Sequence, residues 1–255
     1  MSSRRPALRL ILPMAIVGAA LLLPIGAAHA KVRSSVSGQL LTVQGSQGAD
    51  RVKVVCTAAG LVKVNGKNPR TGPVTCARIS EVDALSGDGN DRVDLSGVGS
   101  VSGFGQRDLP GGFGHGTGCG AALGSGNDRF VGGGSCFNLV LGGRGDDRAT
   151  GGALRDQITG GSGNDAVTSL AGRDILIGNA GSDKLNAGAD DDLLSGNSGD
   201  DLLRGAAGAD LLGGGPGTDR LFGGSGPDQL IGGPDKDRLD GGPGNNTLVQ
   251  DAPKK

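Results

Sequence analysis

Eleven aspartates recur at nine-residue intervals, Asp147, Asp156, Asp165, Asp174, Asp183, Asp192, Asp201, Asp210, Asp219, Asp228 and Asp237, and Asn246 takes the next place in the series. A carboxylate is a hard anionic oxygen donor, and calcium gathers roughly six to eight such oxygens at about 2.3–2.6 Å. The eleven are therefore candidate metal ligands. Asp91 and Asp128 close similar glycine-containing loops upstream, Ser86-Gly87-Asp88-Gly89-Asn90-Asp91 and Leu123-Gly124-Ser125-Gly126-Asn127-Asp128, and join them as candidates. Asp50, after Gly45-Ser46-Gln47-Gly48-Ala49, has a weaker claim. Of the 26 acidic residues only Glu81 is a glutamate. Aspartate is a poor helix former and a good turn former, which already leans away from helices.

The elements that must position these groups follow from the repeat itself. From Gly142 to Val249 the chain divides into twelve nonapeptides without insertion, such as Gly196-Asn197-Ser198-Gly199-Asp200-Asp201-Leu202-Leu203-Arg204. Place six holds the aspartate. Place eight is apolar throughout, from Ala149 and Ile158 to Leu239 and Leu248. Place four is glycine except at Leu154, Asp190 and Asp235. Glycines at one, two and four permit a tight turn and let backbone carbonyls converge. In a three-residue strand only the middle side chain points inward, so place eight is expected to form the whole interior. If two units make a turn, residues eighteen apart stack, and the acids sort into two ladders. One runs through Asp147, Asp165, Asp183, Asp201, Asp219 and Asp237, the other through Asp156, Asp174, Asp192, Asp210, Asp228 and Asn246. Rungs about 4.8 Å apart repel by roughly 1 kcal/mol per charge pair even in water, so the stack calls for cations between rungs.

These residues resemble the RTX (haemolysin-type) calcium-binding nonapeptide repeat, G-G-x-G-x-D-x-U-x. The resemblance implies an all-β fold, a parallel β-roll or β-solenoid in which six residues form a loop, three a short strand and two units a turn. It implies Ca2+ between successive loops, held by aspartate side chains and loop carbonyls. One Leu-sized side chain per nine residues is a small core against a backbone ordering cost of about 1–2 kcal/mol per residue, so folding is expected to be coupled to metal binding. Some rungs should be weak: Asp156 beside Leu154 and Arg155, Asp174 behind Ser169-Leu170, and the uncharged Asn246.

Residues 31–141 carry the pattern intermittently, among alternating stretches such as Leu61-Val62-Lys63-Val64 followed by Asn65-Gly66, a hairpin signal. They are expected to form irregular β coils capping the amino end of the roll, because repeat stacks need an atypical terminal unit. Residues 102–120 look like a long glycine-rich loop, whose His115 is expected to be solvated and not a ligand. Four cysteines in an exported chain suggest disulfides; three pairings exist, and Cys56 with Cys76 and Cys119 with Cys136 are expected.

The first 30 residues place Arg4, Arg5 and Arg9 before an apolar run from Leu10 to Ile25 and a small-residue cluster ending at Ala30. This is the order of a secretory signal peptide cut after Ala30. Ser3-Arg4-Arg5-Pro6-Ala7-Leu8 also resembles a twin-arginine export signal, with Ala7 where that pattern has Phe, so both export routes stay open. The run is short for a membrane span, which needs roughly 20 residues, and nothing later could cross a bilayer. The expected location is secreted or extracellular, with periplasm or cell surface as alternatives, and residues 250–255 are a polar tail. Cleavage removes three of the 25 basic residues and none of the 26 acidic ones. The net acidic product suggests neither nucleic acid nor another polyanion as partner, since each would want a basic stripe.

Outward places differ between the two inferred sheets. One presents Arg148, Lys184, Arg204, Arg220 and Arg238; the other stacks Ile175, Leu193 and Leu211, with Ile177 and Ile231 nearby. β-Propensity accounts for the apolar column in one reading; a docking or self-association surface accounts for it in the other. An enzyme is not expected: the sequence has no H-E-x-x-H, no G-x-S-x-G and one glutamate. The functions that remain are a calcium-binding structural protein, an adhesin or matrix component, or a non-catalytic remnant of a secreted RTX enzyme.

Overall fold

A computed structural model describes residues 32–65, 67–76, 81–98, 107–108 and 115–250. The export-signal reading of residues 1–30, the tail from 251 and most of the 102–120 loop lie outside the described residues.

The solenoid is built on a strict in-and-out alternation that runs through each loop as well as each strand. In one unit Asp174, Leu176 and Gly178 are buried while Ile175 and Ile177 between them are only half-buried. Places six, eight and one of the following unit thus share the inward face, as a period of two requires. The expectation that place eight alone forms the interior is corrected by this: the strand does not stop at place nine. Strands such as Ile175–Ala180, Lys184–Ala189 and Leu202–Ala207 are six residues long, because the first residues of the next unit also pair, Gly161 with Asn179 and Ser162 with Ala180.

Among the described residues two sheets result, one of 12 strands and one of 10. The first carries Leu40–Ser46, Glu81–Gly87, His115–Ser125 and Cys136–Arg144 and continues through the repeats to Thr247–Val249, all parallel. The second runs in the same way from Arg51–Cys56, Arg92–Gly97 and Arg129–Val131 to Arg238–Asp240. Register partners in the repeats are eighteen residues apart, as in Ile175 with Leu193 and Leu193 with Leu211. Both sheets therefore extend through the region expected to be irregular coils. The capping there is done by two antiparallel strands, Arg33–Ser37 on the first sheet and Val62–Val64 on the second. Asn65 ends the second of these strands and ties it back to its partner: it sits at φ 51°, its Oδ1 accepts from Lys53 N and its Nδ2 donates to the Arg51 carbonyl.

The core of the repeats is two facing files of aliphatic side chains, Ile158, Leu176, Leu194, Leu212 and Leu230 under one sheet and Leu185, Leu203 and Leu221 under the other, each no more than 1 % exposed. Phe130, Leu95, Val93, Leu41 and Val43 continue it toward the amino end. The expected disulfides are present, Cys56 with Cys76 and Cys119 with Cys136. Among the described residues no helix is long and apolar enough to cross a membrane.

Adjacent leucines give a direct test of this register. Leu212 is fully buried and Leu211 is 37 % exposed. Leu212→Ala should cost about 2–5 kcal/mol and Leu211→Ala no more than about 0.5 kcal/mol, measured by denaturant unfolding in calcium. Equal losses would show that the strand presents its faces otherwise.

Candidate metal centre

Each repeat turns its aspartate inward, and the stacking makes the carboxylates act on one another's backbones. Asp147 N donates to Asp165 Oδ1, Asp165 N to Asp183 Oδ1, Asp183 N to Asp201 Oδ1, Asp201 N to Asp219 Oδ1 and Asp219 N to Asp237 Oδ1, at 2.7–2.8 Å. On the other edge Asp156, Asp174, Asp192, Asp210 and Asp228 are linked in the same way, ending on Asn246 Oδ1. One carboxylate oxygen of each rung is thus committed to the turn before it.

The other oxygen has no such partner. Oδ2 of Asp91, Asp128, Asp147, Asp165, Asp174, Asp183, Asp192, Asp201, Asp210, Asp219 and Asp228 is buried without a hydrogen bond. A buried, unpaired carboxylate oxygen is costly, and a bound cation is one of the few things that satisfies it. Removal from water drives the protonation equilibria accordingly. Burial, reinforced by neighbouring acids, pushes Asp147, Asp174, Asp192 and Asp201 up to about 7, and Asp128, Asp183, Asp210 and Asp219 up to about 6.

The glycines shape the space around the unpaired oxygen. A side-chain carbon at Gly196 would fall on Asp201 Oδ2 and meet the Gly214 carbonyl 2.8 Å away. Place four behaves likewise: at Gly199, with φ 124°, a side chain would collide with the Gly181 carbonyl of the neighbouring turn. Backbone carbonyls and one carboxylate oxygen therefore crowd a gap that glycine keeps clear, and this is the oxygen-only donor set that calcium takes. Among the described residues no three acid, imidazole or thiolate groups converge on a point. An ion held here would draw most of its ligands from carbonyls, with Asp201 and its ladder neighbours supplying the charge.

Two of the sequence-predicted ligands are placed differently. Asp156 receives Gly152 N on Oδ2, and Asn138 N and Nδ2 on Oδ1, so protein donors fill both its oxygens. Asp237 is only partly buried and its Oδ2 accepts from Gln250 Nε2 at 2.8 Å. Asp174 keeps an unpaired Oδ2 despite the Ser169-Leu170 substitution. His115 begins a strand of the first sheet.

One rung ranked low in the sequence reading, Asp50, and one it missed, Asn138, also join the ladders. Asp50 is buried, donates its N–H to Asp91 Oδ1 and has an unpaired Oδ1, so the first ladder begins there and continues through Asp91 and Asp128 to Asp147. Asn138 begins the second ladder. Its signal was present: Gly133-Gly134-Ser135-Cys136-Phe137-Asn138-Leu139-Val140-Leu141 is a thirteenth nonapeptide abutting Gly142, with Cys136 in place of the usual glycine.

A family model described as the RTX calcium-binding nonapeptide repeat (4 copies) matches this chain three times end to end, over residues 141–176, 177–212 and 213–248. No curated protein and no solved structure matches it.

The raised carboxyl groups fix a pH dependence for the calcium-free chain. Unfolded aspartates titrate near about 3.9, so between about pH 4 and pH 7 the native state binds more protons than the unfolded one, and stability falls as pH rises. Stability contributed by these groups is complete below about pH 4 and lost through pH 7. Far-UV circular dichroism in calcium-free buffer should show more β-sheet at pH 4.5 than at pH 8, about the two sides of that window. A signal that grows with pH would contradict it.

Proposed function

Residues 141–248 carry RTX calcium-binding nonapeptide repeats, and from that premise we propose that the chain is an exported calcium-ion-binding structural protein whose solenoid completes its folding on calcium. The observation that carries the reading is the file of buried carboxylate oxygens without hydrogen bonds, repeated at every interior rung from Asp165 to Asp228. The interior rungs Asp165, Asp174, Asp183, Asp192, Asp201, Asp210, Asp219 and Asp228 are the principal ligands, with Asp147, Asp128 and Asp91 extending one ladder toward Asp50. Asp156 and Asp237 are the weakest members, since protein donors already serve them.

Each ion supplies positive charge between rungs that would otherwise repel, and stabilises only the stacked state, so binding free energy becomes folding free energy. Extracellular calcium modules bind at about 10⁻⁴ to 10⁻³ M. Export directed by residues 1–30 would carry the chain to a calcium-rich medium, leaving it unstacked in the cytosol.

The role we assign is structural and not catalytic, because the sequence lacks the motifs of metalloprotease and serine-hydrolase chemistry. An adhesin or matrix component is the alternative. It is favoured by the apolar column on the first sheet, where Leu193 and Leu211 are 40 % and 37 % exposed beside the half-buried Ile175. Leu193→Lys with Leu211→Lys should abolish self-association of the calcium-loaded chain, read by sedimentation; a chain monomeric before and after the change removes that surface as a self-association site.

Calorimetry paired with circular dichroism tests the main reading. Titrating calcium into the purified chain should release heat and raise the β-sheet signal at millimolar calcium, and Asp183→Asn with Asp201→Asn should lower both. Undiminished β-sheet in excess chelator, with no heat on adding calcium, would overturn it.

A further inference from the structure

The outer face of the second sheet carries a straight column of cations that calcium binding does not use. Place seven stacks Arg51, Arg92, Arg129 and Arg148 on four successive strands. Beyond Ala166 the same column continues through Lys184, Leu202, Arg220 and Arg238. Every cation in it is exposed. In-register neighbours on adjacent strands lie about 4.8 Å apart, and like charges directly opposite one another destabilise a sheet. The ion pairs of the described residues do not relieve this: Lys53 pairs with Asp94 and Arg173 with Asp191, and neither touches the column. Beside it, Arg204, Arg220 and Arg238 gather around the Phe222 ring at 5.6, 5.8 and 5.9 Å from its centroid.

Whole-chain charge conceals this face. Among the described residues thirteen aspartates are buried, all at ladder places, and no lysine or arginine is buried, in a chain with 26 acidic and 25 basic residues in all. The near-neutral total therefore divides into an acidic interior and a surface with cations in excess. The argument from net charge against any polyanion fails for this reason, since the basic stripe it required exists once the chain is stacked.

We propose that this face binds a linear acidic polysaccharide, with the polymer's carboxylate or sulfate groups seated along the arginine column. The track is flat, straight and regularly charged, which suits an extended chain that repeats one anionic group along its length. Single-stranded nucleic acid is bound on aromatic platforms, and Phe222 on this face is already engaged by three arginines. A double helix winds its phosphates around an axis, away from a straight track. A lipid surface is met by apolar side chains set beside the cations; among the described residues five of the six large exposed apolar side chains, Leu141, Leu193, Leu211, Leu248 and Val249, belong to the other sheet, and only Leu170, just after Ala166–Thr168, lies toward this one. The inference depends on the stacked sheet and not on how many ladder sites hold calcium.

The test uses the whole chain in millimolar calcium with heparin as the probe. Retention should weaken steeply with salt, as counterion release requires. R92Q/R129Q/R148Q should lower the affinity at least about tenfold and flatten the salt dependence. R92K/R129K/R148K should retain binding, and R144Q/R173Q/K236Q, which removes three cations at strand-end and loop positions off the column, should leave it unchanged. Circular dichroism on each variant confirms the β-sheet; should the glutamine variant misfold, K184E/R220E is read in its place, with the same loss expected. Absence of heparin binding by the parent chain at low salt, an equal loss in the loop variant, or tighter binding of oligo(dT) or anionic vesicles than of heparin would overturn the proposal.

Discussion

The fold turns on a carboxylate with two different oxygens. Oδ1 of each interior aspartate accepts the backbone N–H of the aspartate one turn earlier, which fixes the rise and register of the stack. Oδ2 is carried into the interior with no hydrogen bond. The same group thus holds neighbouring turns together and leaves a charge that the turns alone do not satisfy. Burial raises the cost of that charge, and the nearest acids above and below raise it further.

Much else in the chain is a consequence. The aspartate must be inward at place six, so places eight and one must be inward too, and a leucine and a glycine occupy them. Glycine at place one leaves room for Oδ2, and Ala187 and Ser169 are the exceptions among the twelve repeats. What remains for the hydrophobic effect is one aliphatic side chain per unit, about 1.5–3 kcal/mol each when fully buried, against the ordering of nine residues. Such a stack is poorly stabilised by its core. Disulfides at Cys56–Cys76 and Cys119–Cys136 restrain the part of the chain where the repeat is interrupted.

Where the period is unbroken, the nonapeptide and its inward place eight follow from counting, and the two units per turn implied by the resemblance to the RTX repeat supply the eighteen-residue register and both ladders. Where spacing changes, counting fails. Asp50, Asp91 and Asp128 lie 41 and 37 residues apart, so their similar loops mark them as candidates but no fixed period stacks them, yet their backbones and carboxylates join one ladder. The amino-terminal half of the arginine column was hidden by the same irregularity, because Arg51, Arg92 and Arg129 share no fixed spacing and only the strand register makes them neighbours. Place one was misjudged for another reason. A glycine shows no hydropathy, so its inward position is invisible until the strand is seen to continue past place nine.

Anomalous X-ray diffraction from crystals grown with calcium tests the central claim most directly. The account predicts density between successive loops, within about 2.3–2.6 Å of Oδ2 of Asp165, Asp183 and Asp201 and of the loop carbonyls, with none at Asp156. Oδ2 atoms hydrogen-bonded to buried water or to a protonated neighbour, with no metal peak beside them, would contradict it.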